Sequence, residues 1–134
     1  NIYAQDANGA TLLMAAIINK CGEDIIKYLI NKGINVNERT EYPGLTPLIA
    51  AILYKNDFEI IKTLVKNGAD VNARMINGMT PLKWAIDKKY FEIVKYLVEN
   101  GAEIEDYDQG NNNNIDTKED IENLNKIRRY LSKK

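Results

Sequence analysis

Apolar positions in this chain recur in offset pairs. Ile25/Ile26/Leu29/Ile30, Ile60/Ile61/Leu64/Val65 and Ile93/Val94/Leu97/Val98 each fall at i, i+1, i+4 and i+5, a helical spacing with a wide buried stripe. Gly33, Gly68 and Gly101 follow these segments, where a helix end favours a left-handed residue. Ahead of each segment lies a shorter apolar block: GATLLMAAI (9–17), GLTPLIAAI (44–52) and GMTPLKWAI (78–86). Thr46 and Thr80 suit the N-cap of a short helix, with Pro47 and Pro81 at the first helical position, where a missing N–H costs nothing. Ala16, Ala51 and Ala85 are small enough for neighbouring helices to approach closely. The pattern predicts a short helix, a tight turn and a longer helix, three times over. Asn56 with Glu59 reads as a capping box opening the second helix of the middle unit, and Gly9, Gly44 and Gly78 mark the turns leading into each unit.

One such helix pair cannot bury its own apolar face, so neighbouring units must stack to complete a core. Thr11 to Thr46 is 35 residues and Thr46 to Thr80 is 34. This period and the T-P-L opening resemble the ankyrin repeat, whose unit is about 33 residues and whose signature begins T-P-L-H-x-A. The resemblance covers residues 1–105. It implies a mainly α solenoid of helix–turn–helix units joined by β-hairpin-like turns, with about three full repeats and a degenerate C-terminal capping repeat. The expected division of the single domain (1–134) is 1–5 as the tail of a preceding repeat, then 6–38, 39–73 and 74–105, with 106–134 as the cap. The first boundary rests on NIYAQDANGAT (1–11) aligning with DVNARMINGMT (70–80). In the last segment Asn111–Asn114 reads as a loop, and Asp116 with Glu119 as the cap of a final helix whose stripe is Ile121, Leu124, Ile127 and Leu131. Arg128, Arg129, Lys133 and Lys134 near its end complement the helix dipole.

The chain also departs from the family pattern. Met14, Ile49 and Lys83 stand where the motif has histidine, a residue that helps to tie the family's hairpins together, which leaves looser hairpins as the expectation here. Leu12 replaces the first proline. One extra residue lies between the helices near 19–23 and near 54–57, and another in the turn at 38–43.

Composition narrows the function classes. With 134 residues, 45% hydrophobic and 28% charged, the chain reads as one globular domain. A net charge of −1 supplies no basic footprint for nucleic acid, and no apolar run reaches membrane-spanning length. The first residue is Asn1, so a trimmed or processed form is expected and any removed targeting segment is invisible. The single cysteine, Cys21, cannot form an internal disulfide and favours an intracellular location. There is no histidine to act as base or metal ligand, and no phosphate loop, zinc spacing or calcium loop. Asp108, Asp116, Glu119 and Asp120 lie in a polar tail with no inferable pocket to tune them. An enzyme is not expected, nor a cofactor or a metal.

The resemblance implies a monomeric protein-binding module or scaffold that takes another protein in a concave groove. Four layers spaced about 8–10 Å apart give a groove of roughly 30–40 Å, enough for a patch of about 800 Å² per partner. Carried over position by position, the variable hairpin residues are Asn8 and Ala10, Tyr42 and Leu45, then Ile76, Asn77 and Met79. On the first helices they are Ala15, Ile18 and Asn19, then Ala50, Leu53 and Tyr54, then Trp84, Asp87 and Lys88. Tyr42, Leu45, Tyr54, Ile76, Met79, Trp84 and Lys88 are the candidate partner-binding residues. Large amphipathic side chains such as Tyr42, Tyr54, Met79 and Trp84 dominate interface hot spots. Filling of gaps between repeats is the competing reading, evenly weighted for Trp84. A regulatory segment of a larger protein is the alternative function, and a small-molecule or nucleic-acid receptor a further one.

Overall fold

The computed structural model describes residues 3–105 and 117–134, which form seven helices. They are α1 (Leu12–Ile18), α2 (Glu23–Asn31), α3 (Pro47–Leu53), α4 (Phe58–Lys66), α5 (Pro81–Asp87), α6 (Phe91–Glu99) and α7 (Lys118–Ser132). No strand forms among the described residues; an isolated antiparallel bridge pairs Gln5 with Thr11. The short helices pack on one another, α1 on α3 and α3 on α5, while α2 packs on α4 and α7 on α6. A continuous core runs through the stack, from Leu13 and Ile26 through Ile52 and Leu64 to Leu97 and Ile127.

Two kinds of helix end repeat along the stack. After each longer helix a glycine takes a left-handed φ of +89° to +96° (Gly33, Gly68, Gly101). The next amide closes back over five residues, as from Ala69 N to Leu64 O at 3.0 Å and Ala102 N to Leu97 O at 2.9 Å, while Ile34, Ala69 and Ala102 bury their side chains. That is the Schellman ending expected of a glycine there. The short helices end by the same closure (Cys21 N to Ala16 O 3.0 Å, Asn56 N to Ala51 O 2.9 Å, Tyr90 N to Ala85 O 2.9 Å). Here the left-handed residue is a lysine: Lys20 at φ +53°, Lys55 at +52° and Lys89 at +62°, a conformation costing a non-glycine residue about 1–2 kcal/mol. The expected insertions between helices are present, with linkers 19–22 and 54–57 one residue longer than 88–90.

Thr46 and Thr80 cap their helices as expected, accepting from Ile49 N at 3.3 Å and Lys83 N at 3.2 Å. Three expectations are corrected. Asn56 does not open a capping box, because α4 starts after Asp57 without a side-chain cap. Instead Asn56 is buried and donates from Nδ2 to Ile17 O at 3.1 Å, joining the turn before α4 to the end of α1. The N-cap of α7 is Thr117, which accepts from Asp120 N at 3.1 Å; Asp116 and the Asn111–Asn114 run lie outside the described residues, as does Asp108. Ile25 and Ile121, placed in apolar stripes by periodicity, are exposed. Ile25 is 48% exposed, whereas its counterpart Ile60 is 3% exposed. The difference follows from layering: α4 packs on α2, and among the described residues no earlier long helix lies on the other side of α2.

Candidate interaction surface

Each hairpin tip is built by short-range polar contacts and then tied to the next. Asn8 joins the first tip to the second. Its Nδ2 donates to Tyr42 O at 2.7 Å, its Oδ1 accepts from Tyr42 N at 3.2 Å, and its carbonyl accepts from Glu41 N at 2.9 Å. Pro43 O then accepts from Ile76 N at 2.9 Å, joining the second tip to the third. These bonds span the hairpins in a chain without histidine, so the anticipated looseness does not follow from its absence. Within the tips, Leu45 N donates to Thr40 Oγ1 at 2.9 Å, and Met79 N donates to Asn77 Oδ1 at 3.0 Å.

The tips expose large side chains. Tyr42 is 73% exposed and Ile76 58% exposed. Tyr54 and Lys88 follow the last residues of α3 and α5 and are also exposed. Leu45 and Met79 are half-buried, and Leu45 packs against the core. Trp84 is half-buried as well, packs against the core, and donates from Nε1 to Met75 Sδ at 3.1 Å. Its indole therefore contributes packing within the stack as well as an outer edge. Ala50, at a family-variable position, is fully buried and cannot contact a partner. Ala15, one repeat earlier, is exposed for the same reason as Ile25.

Behind the tips, polar side chains join successive repeats in ways that periodicity did not reveal. Asn37 donates to Gly68 O at 2.8 Å and accepts from Asp70 N at 2.7 Å. Asn72 repeats the arrangement one unit on, donating to Gly101 O at 3.1 Å and accepting from Glu103 N at 2.8 Å. The shared V-N at 36–37 and 71–72 was the available signal. Glu105 pairs with Lys83 Nζ at 2.9 Å and with Arg74.

The 38–43 turn also has a structural role. Glu38 is buried and accepts from both the hydroxyl and the amide of Thr11, the residue before α1. Thr11 makes no side-chain cap of its own, so a carboxylate from the far end of the same unit satisfies that helix start. Burial pushes the Glu38 carboxyl above its ordinary value, and the bonds from Thr11 and the Met14 amide offset part of that rise.

Among the described residues no cluster of Cys, Asp or Glu could hold a metal ion, and no helix is long and apolar enough to cross a membrane. No curated protein matches the chain. A family model described as ankyrin repeats (3 copies) matches residues 1–75 and again 39–108. Such repeats are generally protein–protein interaction modules and typically non-enzymatic. The stacked helix pairs, the glycine-ended long helices and this double match agree, and the chain belongs to the ankyrin repeat family.

Proposed function

We propose that this chain binds a partner protein along the row of hairpin tips and the adjoining first helices. The observation that carries the reading is the pairing of Tyr42 with Ile76. Both are large, exposed side chains on neighbouring tips, and the bond from Ile76 N to Pro43 O at 2.9 Å holds their backbones together. Exposed apolar groups on an ordered backbone lose little conformational freedom on binding, which favours affinity. Met79 and the outer edge of Trp84 extend the surface, Leu45 supports it from beneath, and Tyr54 and Lys88, at the far ends of α3 and α5 from the tips, continue it along the first helices. Residues 106–134 serve as the cap of the stack, with α7 covering α6. The chain acts as a monomer.

The test is affinity capture of a partner with the parent chain and with Tyr42→Ala/Ile76→Ala, alongside Tyr28→Ala as a control on the exposed side of α2. A partner retained by the control and lost with the double variant supports the tips as the contact. Equal retention by both variants places the contact elsewhere.

A further inference from the structure

The turns between short and long helices lie at the opposite ends of the first helices from the hairpins. A cleft of about 570 Å³ opens there, bounded by the second and third turns and by α7. Its volume falls within the range of small-molecule sites, about 300–1,000 Å³. Ile52, Phe58, Phe91 and Ile93 give it apolar walls. Four lysines line it, Lys55, Lys62, Lys89 and Lys126, against one acidic residue, Glu92.

Lys89 separates this cleft from an ordinary surface depression. It shares its left-handed backbone with Lys20 and Lys55, yet those two are exposed while Lys89 is only 6% exposed. Buried lysines are normally paired. Among the described residues Lys89 has no carboxylate partner; its Nζ donates to Asp87 O at 3.1 Å, which uses one of three ammonium protons. Lys62, by contrast, is engaged by Glu59 at 3.3 Å and lies over the Phe58 ring at 4.4 Å. A lysine buried along its length with ammonium donors to spare, beside apolar walls and further positive charge, is complementary to one anionic group on an apolar stem.

We propose that this cleft binds a small amphiphilic anion, a carboxylate carried on an aliphatic chain, with Lys89 meeting the carboxylate and the Ile52, Phe58, Phe91 and Ile93 walls receiving the stem. The site is separate from the hairpin surface and does not depend on the protein-binding reading.

The experiment titrates decanoate, below its micellar concentration, into the full 134-residue protein, following isoleucine methyl resonances together with calorimetry. Decanamide and inorganic phosphate serve as comparison probes. The expected result is saturable one-site binding of decanoate that shifts Ile52 and Ile93, with decanamide and phosphate each at least about tenfold weaker, or about 1.4 kcal/mol. Lys89→Asn, which suits a left-handed backbone, should weaken decanoate by a similar factor. If that variant does not fold, Lys55→Gln/Lys126→Gln, both at exposed positions, replaces it with a several-fold loss expected. No decanoate binding, shifts confined to other regions, equal affinity for decanamide or for phosphate, or parental affinity in the folded lysine variant overturns the proposal.

Discussion

Asn37 and Asp70 are locked across a repeat boundary: the Asn37 Oδ1 accepts the Asp70 amide at 2.7 Å while its Nδ2 reaches Gly68 O at 2.8 Å. One amide side chain thereby satisfies a donor and an acceptor in the loop that ends the next repeat. Each such bond contributes about 0.5–1.5 kcal/mol net. Asn37→Ala should therefore cost about 1–3 kcal/mol in urea melts, and Asn72→Ala a similar amount. Asn37→Asp keeps the acceptor and loses the donor, so it should fall between the parent chain and the alanine variant. Asn37→Ala melting with the parent chain would show that solvent replaces both bonds without cost.

The core stripe is tested by contrast. Leu64 and Ile127 are both fully buried, so truncating either to alanine should cost about 2–5 kcal/mol. Ile25→Ala should cost clearly less than Ile60→Ala, because only the second side chain has a layer packed over it. A silent Ile127→Ala would show that α7 does not contribute to the stack's stability.

Glu38 predicts a pH dependence. Its folded-state carboxyl is raised above the ordinary 4.5, so above that value the folded chain retains a proton that the unfolded chain has lost. Its contribution to stability is present at low pH and declines as pH rises through the raised value. Glu38→Gln should lose less stability than the parent between mildly acidic and neutral pH. Parallel stability curves for the two chains would contradict this.

Thr46 and Thr11 should also behave differently. Thr46→Ala should cost about 1 kcal/mol through the lost cap and add independently to Glu38→Gln. Thr11→Ala should be non-additive with Glu38→Gln, because those two side chains are in contact. A double-mutant cycle measures the coupling directly.

Features that repeat were legible in the amino-acid pattern, because stacking demands the same solution in each layer. Gly33, Gly68 and Gly101 end their helices, Thr46 and Thr80 cap theirs, and Ala16, Ala51 and Ala85 are buried, all as local chemistry dictates. What escaped depends on neighbours outside the local window. Thr11 shares its motif position with Thr46, yet its hydroxyl goes to Glu38, a residue 27 positions away. Asn56 has the spacing of a capping box but finds Ile17 O, 39 positions back. Ile25 has the periodicity of a core residue, and only the order of layers explains its exposure. Among the candidate contacts, burial distinguishes exposed Tyr42 and Ile76 from half-buried Leu45 and Trp84, a distinction that repeat register alone does not make.

The central claim, that the hairpin tips are the binding surface, is tested most directly by measuring partner affinity and thermal stability on the same purified variants. With the captured partner in hand, Tyr42→Ala/Ile76→Ala should weaken binding by about 2 kcal/mol or more and leave the melting temperature nearly unchanged, since exposed side chains leave no cavity. Trp84→Ala should lower both, because Trp84 packs on the core and bonds to Met75. Parental affinity in a correctly folded Tyr42→Ala/Ile76→Ala chain would contradict the account.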